Sequence, residues 1–199
     1  MTEASWAQQI ARNFLAETLP RRWAHVQGVA ATAMSLTPVL GATTGLVVAA
    51  AWLHDIGYSP AIASTGFHPL DGARYLRTTR HASDMVCRLV AHHSSAISEA
   101  DIRGLGATLS SEFRPPPRSL ANALTFCDMT TGPDGQRMTV ENRIADICAR
   151  YNPQDPVRRA INRSESQLTA AVDGVARKLA RNAPTERPEA PKHRPDAIT

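Results

Sequence analysis

His54 and Asp55 stand side by side at the end of an apolar run and are followed at once by Gly57. A neutral imidazole and a carboxylate at one helix end are two metal ligands offered together. Further histidines flank this pair at His25, His68 and His92-His93, and Asp128 follows downstream. Each of His25, His54, His68 and His93 lies on, or opens, a segment with helical apolar spacing. Asp55 and Asp128 sit in equally apolar surroundings. An isolated histidine on such a face is usually a packed, hydrogen-bonded core residue. A buried carboxylate, however, needs a cation or several donors. One shared metal centre would satisfy all six groups together. Mixed imidazole and carboxylate ligation suits iron, manganese, cobalt, nickel or zinc, as one or two divalent ions.

Several helices must carry these residues. The spacing predicts a first helix over 2–19, closed by Pro20, with Trp6, Ile10 and Phe14 on one face. A second runs over 21–36 and aligns His25 with Val29 and Ala33. A third starts at Thr43 or Thr44 and ends at His54-Asp55. His68-Pro69 opens a fourth, with proline at the favoured first position, and Ser83 caps a fifth through His93. One further helix is expected over 99–113, weakened by Gly104 and Gly106. Others are expected over 119–130, 139–150 and 156–181. Gly132-Pro133-Asp134-Gly135 is a turn signal. Val86, Val90 and His93 share a stripe, which favours His93 over His92 as a ligand. His92 remains a second ligand, a proton donor or a surface residue.

Composition agrees with packed helices. The chain has 199 residues, 43% of them hydrophobic and only 5% aromatic, and no convincing strand pattern. This length suits one domain, expected over 1–182 with its core over about 20–150. The Pro-rich, charge-alternating tail over 183–199 is expected to be disordered. The formal charge is +4, with the basic surplus clearest from Arg150 to Arg181. No basic stripe interleaved with aromatics is present, which argues against a nucleic-acid partner. Cys87, Cys127 and Cys148 are odd in number, widely spaced and in apolar contexts, as expected of reduced thiols. No basic start with an apolar stretch marks a signal peptide. The longest apolar run, 45–53, is far shorter than the roughly 20 residues of a bilayer span. The expectation is a soluble cytoplasmic protein that does not engage membranes.

Arg22-x-x-His25, His54-Asp55 and Asp128 resemble, in order, the H…HD…D signature of the HD-domain metal-dependent phosphohydrolases. The segments RRWAHVQGVA, AAWLHDIGYSP and ALTFCDMTTG carry the resemblance, which covers roughly 20–150. GFHPLDGARYL and RLVAHHSSA are similar to the extra-histidine segments of the two-metal branch. That branch includes symmetrical diadenosine tetraphosphate hydrolases and HD-GYP cyclic dinucleotide phosphodiesterases. The resemblance implies an all-α helical bundle with the metal site between its central helices. It implies that His25, His54, Asp55 and Asp128 bind a first ion. His68 with His92 or His93 would bind a second, Asp55 bridging. The chain departs from particular subfamilies. No G-Y-P segment follows His92-His93, Ile56-Gly57-Tyr58 replaces the acidic stretch of alarmone hydrolases, and Met129-Thr130-Thr131-Gly132 lacks a glutamate.

The implied reaction is hydrolysis of a phosphoester or phosphoanhydride of a nucleotide or related small molecule. A metal lowers the pKa of water to about 7, which makes a nucleophile available without a covalent intermediate. His54 and Asp55 would be central to catalysis. Arg22, three residues before His25, would grip a phosphate, and Arg74 and Arg77 would help bind substrate. Asp71, one turn after His68, would orient a ligand or stabilise the helix start. Two other readings are a mononuclear 5′-nucleotidase-like enzyme and a non-catalytic nucleotide-binding module.

Overall fold

A computed structural model of the protein describes residues 2–182. Those residues form eleven α-helical segments joined by turns, and their one β feature is an isolated antiparallel bridge between Thr131 and Arg137. In chain order the helices are α1 (Glu3–Leu15), α2 (Pro20–Ser35), α3 (Thr37–Leu40), α4 (Thr44–Leu53), α5 (His68–Thr79) and α6 (Asp84–His92). They continue with α7 (Ala96–Ile102), α8 (Gly106–Glu112), α9 (Arg118–Met129), α10 (Val140–Arg150) and α11 (Pro156–Asn182). The tail expected over 183–199 lies outside the described residues.

α4 is the axis of the fold. Every residue from Val47 to Leu53 is buried, so the helix is apolar all round, the pattern of a fully enclosed element. It packs against α1, α2, α6 and α9. By composition, the segment Thr37–Tyr58 (mean hydropathy 1.4) is apolar enough to cross a membrane. In the fold it is divided among α3, a 3-10 turn, α4 and a second 3-10 turn, and more than half of it is buried.

Three boundaries differ from the sequence pattern. Pro20 opens α2 instead of closing α1, because a proline at a helix start loses no hydrogen bond. α1 has already ended at Leu15. The segment expected as one helix over 99–113 is two, α7 and α8. Gly104, at φ +74°, turns the chain between them, a conformation open to glycine. The four-residue α3 was not legible at all.

Close backbone contact fixes the start of α5. A methyl group at Gly57 would lie 2.0 Å from the His68 carbonyl oxygen, and one at Gly72 would lie 3.2 Å from the Gly57 nitrogen. Two residues without Cβ atoms thus let the turn after α4 press directly on α5.

Candidate metal centre

Five elements aim their ends or faces at one buried point. His25 comes from α2, His54 caps α4 and Asp55 follows it. His68 opens α5, His93 leaves the end of α6, and Asp128 sits in the last turn of α9. His25, His54, Asp55, His93 and Asp128 are buried, and His68 is partly so.

Backbone carbonyls set the imidazoles. His25 Nδ1 donates to Gly132 O at 3.0 Å, His54 Nδ1 to Ala51 O at 2.8 Å, and His93 Nδ1 to Val90 O at 2.7 Å. A neutral imidazole protonated at Nδ1 carries its lone pair on Nε2. Those three Nε2 atoms face the cluster. His54 Nε2 is buried with no hydrogen-bond partner among the described residues. The nearest acidic atom to it is Asp55 Oδ2 at 3.4 Å. His25 Nε2 lies 3.1 Å from Asp128 Oδ1 and 3.9 Å from Asp55 Oδ2. His68 Nε2 is 3.4 Å from Asp55 Oδ1 and 3.1 Å from His93 Nε2.

The ligand atoms fall into two triads, His25–His54–Asp128 and Asp55–His68–His93, each with its atoms within 4.8 Å of one another. An unpartnered, inward-facing imidazole nitrogen and a close contact between two imidazole nitrogens are what a cation would relieve. The donor set therefore fits divalent transition metals.

Electrostatics keeps the carboxylates ionised. Burial pushes Asp55 up, but Arg22 and His54 outweigh it and hold the carboxyl well below the usual range. For Asp128 burial is likewise outweighed, by His25, His54 and Arg143. Burial drives His68 well below, and His93 below, the ordinary imidazole value, so both stay neutral and free to ligate. His54 goes the other way: burial lowers it, but Asp55 prevails and raises it.

Comparison with known protein families matches residues 22–152 to the HD domain. The chain belongs to the HD domain family. Members of this family are mostly metal-dependent phosphohydrolases that bind divalent metals, and the matched span holds all six converging residues. No characterised protein and no solved structure matches the chain.

Within this HD domain, four residues given a part in the site by the sequence lie elsewhere. His92 is the last residue of α6, and its Nε2 meets Phe113 O at 2.7 Å. His93 leaves the helix at ψ 149°, so the two adjacent rings diverge and only His93 joins the cluster. Arg74 pairs with Glu112 at 2.9 Å, and Arg77 lies 3.6 Å over the Phe113 ring. Both arginines therefore belong to the contact of α5 with α8, away from the cleft. Asp71 accepts from the Ser64 and Thr65 amides and organises the loop before α5, with no hydrogen bond to a candidate metal ligand among the described residues.

Arg22 is at the site. It donates to Asp55 Oδ2 at 2.8 Å and stacks 3.9 Å over Tyr58, whose ring in turn stacks on His68 at 3.9 Å. A cleft of about 590 Å3, counted out to its open mouth, leads to the cluster. Sequence reasoning missed Tyr58, Ser94, Arg143 and Arg150 among its lining residues. Ser94 donates to Asp128 Oδ2 from a left-handed backbone, φ 46°. Its place directly after His92-His93 was the one available signal. Arg143 and Arg150 carried none, since arginines on an amphipathic helix read as a solvated face.

Proposed function

We propose that this HD domain hydrolyses a phosphoester or phosphoanhydride of a nucleotide or a related small phosphorylated molecule. The observation that carries the reading is the orientation of the imidazoles. Three Nδ1–H groups are tied to carbonyls, so three Nε2 lone pairs meet two buried carboxylates beside an open cleft. One or two ions of iron, manganese, cobalt, nickel or zinc would, when bound, activate water at neutral pH and neutralise phosphoryl oxygens. His25, His54 and Asp128 would hold one ion, and Asp55, His68 and His93 a second. The presence of two separate triads supports a two-ion centre. Arg22 would grip the phosphate, with Tyr58 beneath it limiting its swing. The buried, free thiols of Cys87 and Cys127 suit a reducing compartment, which supports a cytoplasmic setting.

The test is metal analysis of the purified protein, followed by a metal-reconstituted screen across nucleoside mono-, di- and triphosphates and cyclic nucleotides. We expect bound transition metal and phosphate release from at least one class. Asp55→Asn should remove both turnover and the second ion. Unchanged turnover in Asp55→Asn would sink the mechanism.

A further inference from the structure

A second, smaller cavity of about 330 Å3 adjoins the metal centre. It is lined by Arg21, Arg22, His25, Pro133, Arg143 and Arg150. Among the described residues none of its lining side chains is acidic. Arg22, Arg143 and Arg150 also line the main cleft, so the two spaces share one cationic wall.

Arg143 is the unusual member. It is only 5% exposed, and its Nε is buried without a hydrogen-bond partner among the described residues. Its other nitrogens reach Asp128 Oδ1 at 3.5 Å and Asp146 Oδ2 at 3.3 Å, both long. Leaving a buried donor unmade costs about 1–3 kcal/mol, more when the group is charged. An arginine held this way at a cavity wall wants an acceptor.

The local charge supports an anion. Four guanidiniums surround the cavity. Their carboxylate partners are Asp134 for Arg21, Asp55 for Arg22, Asp128 and Asp146 for Arg143, and Asp146 for Arg150. Asp55 and Asp128 belong to the candidate metal centre. With those two engaged by a cation, Asp134 and Asp146 alone remain to balance four positive charges.

We propose that this cavity is a second anion subsite, which takes another phosphoryl group of the molecule whose first phosphate meets the metal centre. The substrate class is thereby a compound bearing at least two linked phosphoryl groups. Arg143 and Arg150 select it, supplying the forked donors that match phosphate oxygens. Outside them, Ile147, Tyr151, Val157 and Ile161 give the cleft an apolar wall for the organic part. The assignment rests on the phosphohydrolase reading for its first phosphate alone.

Calorimetric titration of the full chain tests it, with orthophosphate and methylenediphosphonate as probes and identical free metal in both solutions. The diphosphonate should bind at least about tenfold more tightly than orthophosphate, the effect of one or two additional charged hydrogen bonds. Arg150→Gln, at an exposed position, should erase most of that preference and leave orthophosphate binding within about twofold. Arg143→Lys keeps the charge beside Asp128 and loses the fork, and should weaken the diphosphonate more than orthophosphate. Arg177→Gln, exposed on α11, should change nothing. Equal affinity for both probes, or a preference that survives Arg150→Gln and Arg143→Lys, overturns the subsite. Neither readout needs turnover. A protein that shows the preference but hydrolyses nothing keeps the subsite and loses the enzymatic reading, and one that hydrolyses monophosphates without the preference does the reverse.

Discussion

Gly57→Ala should dismantle half of the metal centre from a position that is not a ligand. The added methyl would lie 2.0 Å from the His68 carbonyl oxygen, about 1.4 Å short of the 3.4 Å at which ordinary contact begins. It would also press on the Gly72 nitrogen at 2.8 Å. Both obstacles are backbone, so no side chain can rotate away, and the start of α5 must move. His68 is the first residue of that helix. Its Nε2 now lies 3.4 Å from Asp55 Oδ1 and 3.1 Å from His93 Nε2. Metal–ligand distances tolerate only about 0.2 Å, so a shift of about 1.4 Å removes His68 from the second triad. The first triad comes from α2, α4 and α9 and does not depend on α5. Overpacking of this kind costs roughly 1–3 kcal/mol, which a fold of this size survives. Metal analysis should fall from two ions per chain to one, and kcat/KM should drop by about 100-fold or more, as for a comparable misplacement of a catalytic group. Urea unfolding supplies the stability term. A Gly57→Ala protein with full metal content and wild-type turnover would show that the glycine contact does not set His68.

Two further predictions probe the surroundings. Ser95 holds φ 61° and ψ 33° at the start of α7 without a side-chain capping bond. Left-handed backbone costs a non-glycine residue about 1–2 kcal/mol, so Ser95→Gly should raise the unfolding free energy by about 0.5–1 kcal/mol, read as a higher urea midpoint at unchanged m-value, and a lower midpoint refutes the strain. Burial raises the Glu99 carboxyl, and its Arg103 partner at 2.7 Å does not fully offset this. The folded state therefore binds that proton more tightly than the unfolded chain. Ionised Glu99 opposes folding at neutral pH and stops doing so as pH falls through its raised value toward the ordinary carboxylate range. Glu99→Gln should thus gain stability on wild type at pH 7 and lose that gain near pH 4, with a pH-independent difference counting against the sign.

The ligands were legible because two demands coincide at them. His25 follows the stripe of Val29 and Ala33, His54 that of Val47 and Ala50, and Asp128 that of Leu124, all buried. A polar, ligating residue continuing an apolar face is informative only in that combination. Side-chain direction beyond a helix's own periodicity was not legible. Arg74 and Arg77 follow His68 at helical spacing, but the rotation of α5 is fixed by Gly57 against Gly72 and turns them toward Glu112 and Phe113. His92 and His93 separate because the helix ends between them, a tertiary outcome. Arg143 and Arg150 lie seven residues apart on one helix face. Only the packing of α10 beside the metal centre shows what that face meets.

Arg22 has a consequence for the metal-free protein that its role as a phosphate grip does not suggest. Two buried carboxylates without a cation would be expensive, yet each has an arginine: Arg22 on Asp55 and Arg143 near Asp128. The bundle can therefore fold before it is loaded, unlike small domains whose folding energy comes from the metal. Arg22 bonds Asp55 Oδ2, the oxygen that also faces His54 and His25. Arginine and cation thus compete for one carboxylate. Removing one partner of a buried pair costs about 3–5 kcal/mol; with Arg22 24% exposed, about 2–3 kcal/mol is the better expectation for Arg22→Met in chelator. With metal present the cation takes over the carboxylate, and the cost should fall below about 1 kcal/mol. By linkage the difference reappears as metal affinity, so Arg22→Met should bind the ion at least about tenfold more tightly while its phosphate binding weakens. Urea unfolding with and without metal, paired with a metal titration, measures both sides. Equal destabilisation in the two states, or weaker metal binding in the variant, would mean that Arg22 supports the centre instead of holding its place.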